Sequence, residues 1–144
     1  MANNRTITAA NSILILSTDL FGIHRLQGFA ADAITETDGI QQAETMMGVD
    51  GRLSGGYVPA PTVQNITLQG DSLSNDYMDQ IAGQAEQLRE TVIITGSLVL
   101  PAIGQKYAMR RGFLTNYPKF PSVQRVIQPR RYQITWEAVT PSPN

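Results

Sequence analysis

Residues 74–90 read SNDYMDQIAGQAEQLRE, and residues 91–117 read TVIITGSLVLPAIGQKYAMRRGFLTNY. The change of period between them decides the fold. In the first stretch Tyr77, Ile81, Ala85 and Leu88 recur at helical spacing. That spacing predicts one amphipathic helix with those four side chains as its core anchors. Ser74 is expected to cap it, with Asp76 in the first turn at the positive end of the helix dipole. In the second stretch β-branched residues take over. Thr91–Leu100 predicts a strand, Pro101–Gly104 a turn, and Gln105–Leu114 a returning strand with Tyr107, Met109, Arg111 and Phe113 on one side. One helix, long extended segments and no recognisable nucleophile or metal motif predict a chain built to contact copies of itself.

Upstream, Ser12–Leu16 reads as a short strand, and Ile23–Ala33 as a second with Gly28 at a bulge or close backbone approach. Residues 34–45 suggest a strand, a turn at Asp38–Gly39 and another strand. Residues 46–61, MMGVDGRLSGGYVPAP, hold four glycines and two prolines, with turn signals at Asp50–Gly51 and Gly55–Gly56. Met46, Met47, Val49, Leu53, Tyr57 and Val58 in such a loop would be costly to expose, so an extended loop or β-arm that docks on another subunit is expected. Val63–Gln69 alternates as a strand. Downstream, Thr115–Pro121 reads as a proline-punctuated link, Ser122–Ile127 as extended, and Pro129–Arg130 as an interruption. Arg131–Val139 alternates with Tyr132, Ile134, Trp136 and Ala138 on the core face, and TPSPN reads as a tail. The fold expected is mainly β: two packed antiparallel sheets, sandwich- or barrel-like, flanked by one α-helix. Residues 1–144 are expected to form a single domain.

Composition narrows the function classes. Charged residues are 16% of 144, against about 25% in a typical soluble domain, so a weakly charged surface is expected to be buried against partners. A net charge of −1 gives no strong electrostatic pull on nucleic acid or membrane. The absence of cysteine removes disulfides, thiol catalysis and cysteine-ligated metals. Neither a membrane span nor a signal peptide is read, and a protein made and kept in a cytoplasm is expected.

No constellation for catalysis emerges. His24 is the single histidine, and zinc wants three or four convergent ligands. No serine or carboxylate is tied to it by spacing, so neither an enzyme nor a cofactor is expected. Asp32, Glu36, Asp38, Glu44 and Asp50 form an acidic stretch without calcium-loop spacing. Lys106, Arg110, Arg111, Lys119, Arg125, Arg130 and Arg131 mingle with aromatics in the last third. A nucleic-acid surface is one reading; pairing of some with acidic groups on the next subunit is the other.

In order and content these segments resemble the inner tail tube proteins of tailed bacteriophages, which share a fold with secretion-system tube proteins. The resemblance spans the glycine-rich loop before Tyr57, VQNITLQGDS, the helix, VIITGSLVLPAIGQKYAMRRGFLTNYPKFPSV and QPRRYQITWEAV. It implies a virion protein that assembles as stacked homohexameric rings. The loop at about 46–61 would bridge rings. The lumen would hold the tape-measure protein and conduct DNA without binding it, with Asp32, Glu36, Asp38 and Glu44 as lumen candidates. Baseplate and tail terminator proteins would be partners, a sheath protein a further one, and no membrane is involved. A baseplate or tail-completion protein, a secretion-type ring protein, a small β-barrel enzyme built around His24 and a nucleic-acid-binding β-barrel are the alternatives.

Overall fold

A computed structural model describes residues 12–29 and 35–143. The described chain runs β1 (Ile13–Thr18), β2 (Gly22–Arg25), β3 (Thr35–Thr37), β4 (Ala43–Met47), β5 (Leu53–Tyr57), β6 (Thr62–Leu68) and α1 (Ser74–Leu88). It continues as β7 (Ile94–Leu100), a 3₁₀ turn at Pro101–Ile103, β8 (Gln105–Asn116) and β9 (Arg130–Pro143). The fold is mainly β with one helix and two antiparallel sheets, as expected. The larger sheet has seven strands in the order β2-β1-β7-β8-β9-β6-β3, and β4 with β5 forms a separate ribbon. The core lies between the large sheet's inner face, the sheet's own far edge and α1, while the ribbon stands off.

The large sheet curls toward closure. Beyond β2 the chain extends the β1 ladder by one more bond, Leu26 N–H to Leu14 O at 2.9 Å, and then crosses to β6, where Phe29 bridges Leu68 and Gln69 N–H donates to Gly28 O at 2.8 Å. One edge thus reaches almost to the other, which gives the barrel-like form. Gly28 makes the junction possible. Its φ is +71°, and a Cβ there would lie 2.6 Å from Ser72 Oγ.

Alternation along β9 puts Tyr132, Ile134 and Trp136 wholly inside, but beyond Trp136 it is Val139, opposite Met109, and not the expected Ala138 that packs on the core. They meet Leu14, Leu16, Ile66, Leu68, Ile94, Met109, Tyr77, Met78 and Ile81 in one core. The polar atoms of Trp136, Gln64, Tyr132 and Asn75 are partnered around that core. Trp136 Nε1 donates to Gln64 Oε1 at 2.8 Å, and Gln64 Nε2 to Thr35 Oγ1 at 2.7 Å. Tyr132 Oη donates to Asn75 Oδ1 at 2.8 Å, and Asn75 Nδ2 to Gln69 O at 2.9 Å.

Several local expectations need correction. Leu73, not Ser74, is the cap residue of α1, and it makes no side-chain capping bond. The Ser74 hydroxyl instead accepts from Gln27 N–H at 2.8 Å, tying the helix start to the strand side. On α1, Tyr77 and Ile81 are buried and Ala85 is half-buried, but Leu88 is 55% exposed. The last turn of the helix, residues 86–88, is exposed, and Met78 and Ala82 complete the buried face. On β8, Arg111 adopts φ +50° and the register against β7 shifts between Ile94 and Gly96. Arg110 and Arg111 are therefore both exposed, Gly112 takes the inward position, and Arg111 and Phe113 do not share the face of Met109. Ser122–Ile127 is a loop with one bridge, Val123 to Ile127, and Arg130 begins β9 instead of interrupting it. The supposed tail is strand: Lys106–Ala108 pair with Thr140–Ser142, and Gln105 with Pro143. Pro141 and Pro143 fit because β6 covers β9 only as far as Trp136. Two residues apart, their nitrogens face one and the same edge, which needs no donor there.

Candidate assembly surfaces

The first surface is the ribbon. Ala43–Met47 pairs with Leu53–Tyr57 in strict antiparallel register, and every residue of both strands is exposed. Period two gathers Ala43, Thr45 and Met47 with Tyr57, Gly55 and Leu53 on one face, and Glu44 and Met46 with Gly56 and Ser54 on the other. Gly48 N–H donates to Arg52 O at 2.8 Å and Arg52 N–H to Asp50 Oδ1 at 3.1 Å, closing the turn around Asp50–Gly51. Gly55 and Gly56 lie within β5, not at a turn. The arm spans Ala43–Tyr57, beginning and ending before the expected 46–61. Val58 is half-buried at its root, where its N–H donates to Gln42 O at 2.8 Å. Met46 is 77% exposed and Tyr57 74%; Met47, Val49 and Leu53 are exposed too. A lone two-stranded ribbon is marginal in water, and this one exposes its apolar side chains.

The second surface is the outer face of β8, β9, β6 and β3. Asn116 Nδ2 donates to Gln133 Oε1 at 2.6 Å, Gln133 Nε2 to Asn65 Oδ1 at 3.4 Å, and Thr115 Oγ1 meets Gln133 and Thr135. This is an uncharged lattice of amides and hydroxyls. Beside it Arg131 binds Glu36 at 2.9 Å, and Asp38 lines the same shallow recess as Asn65, Asn116, Arg131 and Gln133. Of the acidic lumen candidates, Glu36 and Asp38 thus come together, Glu44 sits apart on the arm, and Asp32 lies outside the described residues.

A third surface was not read from the sequence. Phe120, Val123, Val126 and Ile127 are all exposed in the connection from β8 to β9. Val126, Ile127, Gln128 and Pro129 border an open recess of about 520 Å³ with Gln69, Gly70 and Asp71. Its signal was the run of prolines at 118, 121 and 129, which bars regular pairing and leaves apolar side chains stranded between them.

Three of the seven basic residues of the last third pair within their own chain. Arg130 makes a two-pronged bond to Asp79, at 2.8 and 3.1 Å, and lies over Tyr132 at 5.2 Å. Burial works against its charge, yet the Asp79 bond leaves its pKa raised. Lys119 pairs with Glu86 at 3.2 Å, and Arg131 with Glu36.

Two features bear on chemistry. His24 Nε2 lies 3.0 Å from Ser74 Oγ, a pair fifty residues apart that no spacing could reveal. Ser74 is buried, its hydroxyl already holds Gln27 N–H, and the imidazole stacks on Tyr77 at 4.7 Å. The contact packs the helix start. A cavity of about 270 Å³ opens between Leu98, Tyr107, Met109, Trp136 and Val139 and the β3 edge. Its rim carboxylate, Glu36, is held by Arg131.

Against known proteins, the family model described as tail fiber protein gp32 matches residues 5–140. No curated protein matches the sequence. The fold is similar to a chain of the anti-feeding prophage tube-terminating cap, with TM-score 0.60, 12% identity and coverage of 100% of this chain and 95% of that one. It is similar to a chain of the six-fold symmetrised anti-feeding prophage baseplate, with TM-score 0.62, 3% identity and coverage of 99% and 98%. It is also similar to a chain of the PVC extracellular contractile injection system sheath–tube complex in its extended state, with TM-score 0.58, 12% identity and coverage of 98% and 94%. At these identities the likeness is one of fold.

Proposed function

The chain belongs to the tail fiber protein gp32 family, and we propose that this structural component of a phage-type tail is a subunit of the tail tube. The observation that carries the reading is a curled sheet with a fully exposed apolar arm, Ala43–Tyr57. Copies join side by side into hexameric rings, and the arm reaches the next ring. Many modest contacts repeated along a tube add up through avidity. The role is mechanical, not catalytic, and it uses no cofactor.

The neutral lattice of Asn65, Asn116, Thr115, Gln133 and Thr135 suits a bore. Around that lattice Glu36 neutralises Arg131 and Asp38 stands alongside, so this corner offers a polyanion no strong phosphate contact, while Arg110 and Arg111 stay exposed farther along β8. The tape-measure protein would fill the bore before DNA passes. Baseplate, terminator and sheath proteins are the partners at the ends and on the outside.

The likeness to a tube-terminating cap and a baseplate chain favours one second reading, a ring that starts or ends a tube. Negative-stain microscopy across a concentration series separates the two. Long hollow tubes support the tube subunit. Rings that never stack support the end-ring reading. A compact monomer at every concentration would sink both.

A further inference from the structure

The arm and the apolar recess lie at opposite ends of β6. Both connections of the arm leave at the Thr62 end: Thr37, which precedes it, pairs with Gln64 and donates its hydroxyl to Val63 O at 2.6 Å, and Tyr57 precedes Thr62. The recess lies past Leu68, where Gln69, Gly70 and Asp71 meet Val126 and Ile127. Seven strand residues separate the two ends, about 20 Å along the strand. Both ends expose apolar side chains, Met47, Val49 and Leu53 at one and Phe120, Val123 and Val126 at the other. Each end also offers both signs of charge. Asp50 and Arg52 sit at the arm's turn; Arg125 is exposed in the loop at the other end, and Asp71 lines the recess. Lys119 is already engaged by Glu86. Two different, complementary patches at opposite ends of one subunit make a head-to-tail contact, which builds a linear stack when its repeat runs along the axis instead of rotating into a closed ring.

We propose that the arm of one copy docks on the Phe120–Ile127 end of the next, with Asp50 toward Arg125 and Arg52 toward Asp71, so that copies stack head to tail along β6. This rests on the self-assembly reading above and names the seat that reading leaves open. The second copy is the occupant because one chain carries both halves with matched charge.

The chain has no cysteine, so single-cysteine variants report contacts against an empty background. Val49→Cys, Val126→Cys and Ile23→Cys all change exposed side chains. After mild oxidation of assembled mixtures, Val49→Cys with Val126→Cys should give crosslinked dimers, and Val49→Cys with Ile23→Cys should give few. In a second test, preformed rings of Met47→Asp and of Val126→Asp should each fail to stack alone, and mixing them should give ring pairs that grow no further. Equal crosslinking to position 23, or no ring pairs while the unaltered protein forms tubes, overturns the docking and leaves the tube reading standing. Failure of the unaltered protein to form any multimer removes the tube reading and this proposal with it.

Discussion

Trp136 fills the centre of the barrel because two strands give way to it. A Cβ at Gly96 would lie 2.9 Å from its ring, and one at Gly112 would clash with the indole more closely still. Gly112→Ala is therefore expected to destabilise by about 1–3 kcal/mol through overpacking. Gly83, on the open side of α1, has nothing near its missing Cβ, and Gly83→Ala should stabilise by about 0.5–1 kcal/mol. Urea unfolding midpoints that move in the same direction would contradict this. The helix supplies a second pair. Met78 is wholly buried and Leu88 is 55% exposed. Met78→Ala should cost about 2–5 kcal/mol and Leu88→Ala under about 1 kcal/mol. Helical spacing alone favoured Leu88, because spacing gives the direction of a side chain and not whether the fold covers it.

Among the elements, the arm is separable from the barrel. Its strands pair only with each other and bury nothing in the core. Replacing residues 43–57 with a short glycine-serine turn should leave the thermal midpoint within a few degrees and abolish tube growth. Loss of the folded state, or tubes like those of the unaltered protein, would contradict the assignment. α1 behaves in the opposite way, tied at its start through Ser74 to Gln27 and at its middle through Asp79 to Arg130. The existence of the arm was legible from glycines and exposed methionines. Its bounds were not, since Gly55 and Gly56 read as a turn but serve as strand where no side chain need be buried. The end of β9 was missed for a related reason: prolines signal a break unless the strand's other edge is empty, and that is a property of the sheet.

At the scale of the whole molecule, burial raises the pKa of Tyr132 and Tyr77. The folded state then keeps phenol protons that the unfolded chain releases near pH 10. The stability this confers is fully present below about pH 10 and is lost as pH rises beyond it. Unfolding free energy should be flat in this contribution from pH 7 to 9 and fall above it. Tyr132→Phe, which strands Asn75 Oδ1, should cost about 1–3 kcal/mol at neutral pH yet flatten the alkaline slope. An unchanged slope would remove Tyr132 from that account. Strand alternation, the helix, the turn at Asp50–Gly51 and the low charge were local in cause, so the residues alone determined a mainly-β chain with one helix and an apolar arm. Only the tertiary structure decided that the sheet curls until Phe29 meets Leu68, that Arg130 belongs to Asp79, and that arm and recess occupy opposite ends. Those facts join residues about 40 or more positions apart, and their cause is the closing of the sheet around Trp136, which no local pattern encodes.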